Sequence, residues 1–113
     1  MTELAEGPAG VARFAVVVTF RAREGELDRV RSELARNARD SLSEPGCLEF
    51  VVLQDAEDER EFLLYERYRD ARAFHEEHMA TEHYARWRTV AQRCLEPGSQ
   101  ARRELRPVEG GTA

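Results

Sequence analysis

The chain has 113 residues, 17 basic and 22 acidic, for a formal net charge of −5, and that length bounds it to one small domain. With 42% hydrophobic and 35% charged residues it has the balance of a folded globule, since a disordered chain lacks the apolar surface to offset its ordering entropy. The acidic balance argues against binding a phosphate backbone, which depends on basic residues displacing counterions.

The longest unbroken apolar run, Phe14 to Val18, is five residues, where a membrane span needs about 20; no transmembrane helix is expected. Residues 1–10 carry Glu3 and Glu6 and no basic residue, so they lack the features of a secretory signal, and the expectation is a cytoplasmic protein. All 17 basic residues are Arg, which excludes a Schiff-base lysine and a P-loop. Cys47 and Cys94 are too few for a disulfide scaffold and form no Cys-x-x-Cys pair; both read as reduced, packed thiols.

Residues 1–12 read as a flexible leader, 13–108 as the domain and 109–113 as a flexible tail. Arg13 to Arg21 places Phe14, Val16, Val18 and Phe20 on one parity and Ala15, Val17 and Thr19 on the other. A strand apolar on both faces must be covered twice, by helices on one side and, as a candidate on the other, by a partner chain. Leu27, Val30, Leu34, Ala38 and Leu42 mark an amphipathic helix, ended by Ser43-Glu44-Pro45-Gly46. Cys47 to Gln54 and Glu61 to Arg69 read as a hairpin with a turn of five or six residues. Asp70 is a plausible N-cap for a short helix over Ala71 to His78, and Thr81 for a longer one carrying Tyr84, Trp87, Ala91 and Cys94, stopped by Pro97-Gly98. Gln100 to Val108 is a weak, Arg-rich strand candidate. The order β-α-β-β-α-(α)-β is that of the ferredoxin-like split βαβ sandwich, an α+β fold with helices on one face of an antiparallel sheet.

In this order the pieces resemble the antibiotic biosynthesis monooxygenase family. The residues that carry the resemblance are the valine-rich first strand, Gly25-Glu26, Glu44-Pro45-Gly46-Cys47-Leu48, Phe62-Leu63-Leu64-Tyr65-Glu66 with Tyr68 and Asp70, and Glu77-His78-Met79-Ala80-Thr81-Glu82-His83-Tyr84. The resemblance spans about residues 13–108. It implies a homodimer, the dimeric α+β barrel, in which two such sheets pack face to face and bury the second apolar face of the first strand. The chain departs from the family pattern twice. Phe74-His75-Glu76-Glu77-His78 is one residue longer than the usual helix, which leaves its inward-facing aromatic open, and the last strand is unusually polar.

Members of that family that oxidise substrates use no metal and no flavin. The resemblance therefore implies no cofactor, O2 and a small aromatic substrate (a quinol, anthrone or similar polycyclic phenol), and a protein that supplies a base and groups to stabilise an anion. Histidine suits the base by its ordinary pKa. His83 matches the family's Ser/Thr-x-His-Phe/Tyr element, in the first turn of a helix whose dipole favours a nearby anion; His78 precedes that element as its partner, and His75 reads as solvent-facing. Trp87, four residues after His83, is placed to stack on a flat substrate or to pack in the core. Tyr65 and Thr19 are further substrate-binding candidates, Tyr65 with the alternative of a core or interface role. The first strand has no asparagine and the chain has a single tryptophan, which counts against the haem-degrading relatives. No metal site is expected, because His75 and His78 stand at i and i+3 whereas the zinc-protease helix uses i and i+4. No Gly-x-Ser-x-Gly elbow or phosphate loop occurs. The alternative function is a non-oxidative isomerase or a ligand-binding dimer on the same barrel, since fold does not fix function.

Overall fold

In the computed structural model, which describes residues 13–108, the alternation read from the sequence becomes one four-stranded antiparallel sheet in the order β2-β3-β1-β4. The strands are β1 (Phe14–Arg21), β2 (Cys47–Gln54), β3 (Glu61–Tyr68) and β4 (Ala101–Leu105). Two helices, α1 (Leu27–Leu42) and α2 (Glu82–Cys94), complete the ferredoxin-like arrangement, with a π-helical turn (Ala73–Glu77) and a 3-10 turn (His78–Ala80) leading into α2. The leader and tail expected at 1–12 and 109–113 lie outside the described residues. Among the described residues, no helix is long and apolar enough to cross a membrane.

Register decides which side chains share a face. Opposite one another stand Val16 and Glu66, Val18 and Leu64, and Phe20 and Phe62. With Phe50 of β2 the apolar residues of these pairs pack against Val30 and Leu34 of α1 and Trp87 and Val90 of α2 to make the core. The residues between them, Val17 opposite Tyr65 and Thr19 opposite Leu63, face the other way, joined there by Val51 and Leu53 of β2. Leu53 is 51% exposed, and no described element of this chain covers that face.

Two sequence expectations shift in the structure. The buried stripe of α1 runs Val30, Leu34, Asn37, Ser41, while Leu42 is 50% exposed. Twelve helical positions carry Leu42 about 120° round the axis from Val30, so a strict four-residue spacing drifts off the core face and hands it to Asn37 and Ser41. The last strand is shorter than Gln100 to Val108, ending at Leu105, with Val108 79% exposed.

Candidate functional site

The turn after α1 sets the first piece. The Cβ that a side chain at Gly46 would add falls 2.7 Å from Ala73 Cβ, so only glycine lets this turn press against the π-helical turn. Gly46 is tied from its carbonyl to the Arg69 N–H at 2.8 Å. That contact presents Glu44, whose side chain is 11% exposed, to the chain that follows β3.

The second piece is the entry to α2. Asp70 Oδ1 accepts from the Ala73 N–H at 2.8 Å, and the chain then winds as a π-helical turn. A π turn is the way a helix absorbs one extra residue, and it accounts for the additional residue in Phe74 to His78. Phe74 and His78 are each 2% exposed, and their rings stack with centroids 5.7 Å apart. Thr81 closes the segment: its Oγ1 accepts from the Tyr84 N–H at 3.1 Å, capping α2, and donates to the His78 carbonyl at 2.7 Å. His83 sits in the first turn of α2.

These pieces bring three side chains to one atom. His78 Nδ1 lies 2.8 Å and His83 Nε2 2.5 Å from the same oxygen, Glu44 Oε2. Burial pushes the Glu44 carboxyl up, but the hydrogen bonds and charges of His78 and His83 together outweigh it and hold the group below its ordinary range. A carboxylate only accepts, so both ring nitrogens must carry hydrogen. Neutral His78 is thereby fixed with its basic lone pair on Nε2.

His78 also lines a cavity of about 360 Å³ between the sheet and the helices, within the range of small-molecule sites. Val18, Phe50, Leu64, Phe74 and Trp87 supply apolar walls, and Asn37 and Glu66 further polar groups. Glu66 is 3% exposed and accepts from the Tyr68 hydroxyl at 2.6 Å. Desolvation raises the Glu66 carboxyl despite that bond, and burial, then the Glu66 charge, raises the Tyr68 hydroxyl. The Cys47 thiol is pushed up to about 12, by burial first and then by the Glu44 and Glu66 charges, which leaves it inert as a nucleophile.

Of the residues singled out from the sequence, His78 and Trp87 line the cavity. His83 lies in a shallow recess beside it with Glu33, Arg36 and Arg86, and reaches His78 through Glu44. Thr19 and Tyr65 stand on the opposite face of the sheet, so the structure does not bring them to the cavity. His75 is on the surface, 2.9 Å from Glu104. Sequence reasoning did not single out Glu44, Glu66 or Asn37. The first two lie inside the quoted Glu-Pro-Gly-Cys and Leu-Leu-Tyr-Glu segments, where they read as turn and strand residues.

Glu44, His78 and His83 are also, among the described residues, the group whose ligand atoms lie close enough to serve one metal ion, all within 4.8 Å of one another. Tetrahedral zinc with bonds of about 2.1 Å spaces its ligand atoms roughly 3.4 Å apart. The separations of 2.8 and 2.5 Å to Glu44 Oε2 are those of hydrogen bonds, and a cation would have to spread the three groups.

The family model described as antibiotic biosynthesis monooxygenase matches residues 13–90. A comparison with curated proteins gives no match. Among solved structures, a protein of Pseudomonas aeruginosa is 26% identical with a TM-score of 0.77, covering 90% of this chain and 99% of its own. One from Mycobacterium tuberculosis is 27% identical with a TM-score of 0.75, covering 84% and 94%. A crystal structure described as an antibiotic biosynthesis monooxygenase, 21% identical with a TM-score of 0.77 over 84% and 98%, shares the fold.

Proposed function

From the premise that the chain belongs to the antibiotic biosynthesis monooxygenase family, we propose that it is a cofactor-independent monooxygenase oxidising a quinol, an anthrone or a similar polycyclic phenol with O2. The observation that carries this reading is His78: a histidine 2% exposed, in the wall of an aromatic cavity, with Nδ1 engaged by a carboxylate. Its Nε2 takes the acidic proton of the substrate, and the resulting anion passes an electron to O2. Glu44 holds the ring in the required tautomer and stabilises the imidazolium that forms. His83, bonded to the same oxygen, steadies that carboxylate, so the role of base moves from His83 to His78. Trp87 offers its face to the flat substrate. In this reading Thr19 and Tyr65 belong to the face on which a second copy of the chain packs.

Oxygen uptake tests the proposal. Purified protein with menadiol or an anthrone is expected to consume O2 faster than spontaneous autoxidation, and to keep doing so after dialysis against a chelator. No excess uptake across such a panel would favour an isomerase or binding role; loss on chelation restored by one divalent ion would instead make Glu44, His78 and His83 a ligand set.

A further inference from the structure

The cavity carries a polarity that proton abstraction alone does not use. Asn37, 4% exposed, lines the cavity wall, and its side-chain oxygen is buried behind that wall with no hydrogen-bond partner. A buried acceptor left unpaired is costly, and native proteins hold few of them. A ligand seated in the cavity can supply the missing donor once the Asn37 amide turns its oxygen toward it. At the mouth the sign reverses. Arg88 of α2 and Arg102 of β4 line the same cavity, and both are exposed. The Arg102 guanidinium lies 5.4 Å from the centre of the Phe74 ring, itself a wall of the cavity, and is paired with Glu104 at a loose 3.4 Å. Arg88 has no ion-pair or hydrogen-bond partner among the described residues. In a chain of net charge −5, which repels anions in general, two guanidiniums at one opening concentrate positive potential where a ligand must enter.

We propose that the cavity takes a hydroxylated aromatic acid, whose ring lies between the apolar walls, whose hydroxyl donates to Asn37 Oδ1, and whose carboxylate is held at the mouth by Arg88 and Arg102. This rests on the oxidation proposed above for the aromatic body and narrows its substrate class to anionic phenols. Guanidinium groups match carboxylate geometry and stay charged at any working pH, so the preference depends on salt rather than on protonation of the protein.

The test is binding without turnover. Trp87 is the chain's single tryptophan and lines the cavity, so its fluorescence under anaerobic conditions reports occupancy. Three probes separate the parts: 1,4-dihydroxynaphthalene-2-carboxylate, the neutral 1,4-dihydroxynaphthalene, and naphthalene-2-carboxylate, which lacks the hydroxyls. The dihydroxy acid is expected to bind at least about tenfold more tightly than the neutral diol at low salt, with the margin shrinking as salt rises. Arg88→Gln with Arg102→Gln should bring the two within about twofold; both residues are exposed, so folding is not at stake. Asn37→Leu should remove the advantage of the dihydroxy acid over naphthalene-2-carboxylate. Because Leu replaces an unpaired polar group by an apolar one of similar size, its thermal midpoint should not fall. Equal affinity for acid and neutral diol in the wild type, or a preference that survives the double arginine variant, overturns the proposal. A lower midpoint in Asn37→Leu with hydroxyl recognition intact overturns its Asn37 part. The assay contains no O2, so such failures leave the proposed oxidation standing, whereas tight binding of the acid without oxygen uptake would sink the oxidation and keep the site.

Discussion

Neighbouring residues of β1 and β3 end in two different environments. Val16, Val18, Phe20, Phe62 and Leu64 are packed under the helices, on a face dry enough to hold Glu66 at 3% exposure beside the cavity. Val17, Thr19, Leu63 and Tyr65 form, with Val51 and Leu53, a face that is apolar and only half-buried. Ion pairs flank it, Arg67 to Glu49 at 2.6 Å toward one end and Arg21 to Glu61 at 2.7 Å toward the other. The first face is completed within the chain and supplies a walled space; the second is an exposed apolar patch of the kind that marks an interface. A strand apolar on both parities therefore meets two surroundings at once: Val16, Val18 and Phe20 pack under the helices, with Val18 in the cavity wall, and Val17 and Thr19 lie on the open face.

The largest effect should come from a change on each face read by the same assay. His78→Ala is expected to lower kcat by about 10² to 10⁴, the usual worth of a positioned base, with the fold checked by circular dichroism. His83→Ala should cost less, because His83 acts through Glu44. Thr19→Val and Tyr65→Phe, on the far face, should stay within about twofold of wild type. A Tyr65→Phe loss as large as that of His78→Ala would erase the division of labour between the faces.

The second face is broken by charge. Leu63→Arg puts a guanidinium in the middle of the apolar patch, opposite Thr19 and Leu53. In sedimentation at micromolar concentration the wild type should run as a dimer and the variant as a folded monomer of 13.0 kDa. A wild-type monomer with the patch intact would refute the proposed interface.

Gly46→Ala sharpens the comparison from the cavity side. The added methyl would stand 2.7 Å from Ala73 Cβ, and overpacking of this kind costs about 1–3 kcal/mol. The thermal midpoint should drop by several degrees. Activity should fall further than stability explains, because the turn that carries Glu44 is pushed off the π-helical turn that carries His78. A midpoint unchanged within a degree would show that the turn has room to relax.

How much of this was legible in the sequence follows from what each pattern encodes. Strand alternation and the α1 stripe are local, so the elements, their order and the Thr81 cap could be read directly, and the family resemblance supplied the arrangement. Which parity of β1 faces the helices is not local: both parities are apolar, and only the packing of α1 and α2 decides it. That is why Thr19 and Tyr65 read, with Trp87, as substrate-binding candidates and yet stand on the face away from the cavity. Asn37 is not legible because an apolar spacing of four points to Ala38 and Leu42, while the true helical period turns Asn37 inward. Glu44 was quoted as part of a turn; its meeting with His78 and His83 spans 34 and 39 residues of sequence, a closure no local pattern announces.

The smallest effect, yet one with a definite sign, concerns the two carboxyls of the covered side. Glu44 is held below its ordinary value of 4.5 in the folded protein. Its contribution to stability is therefore full above the unfolded value and lost as the pH falls through the folded one. Glu66 is raised above 4.5, chiefly by burial, so its folded form favours the proton. The protein is then most stable, as far as Glu66 is concerned, below 4.5, and loses that advantage as the pH rises through the raised value. In the wild type the two trends oppose each other and partly cancel; single variants pull them apart. Glu44→Gln leaves two imidazoles without their carboxylate and should cost about 1–3 kcal/mol at pH 7, a deficit that shrinks as the pH is lowered below 4.5. Glu66→Gln keeps an acceptor for the Tyr68 hydroxyl without a charge to bury. Relative to wild type, it should gain stability steadily as the pH is raised from 4 to 7. Urea unfolding at several pH values and constant ionic strength gives both differences. If the two run in the same direction with pH, Glu66 is not held in a dry setting, and the contrast between the covered and the open face is weaker than the packing implies.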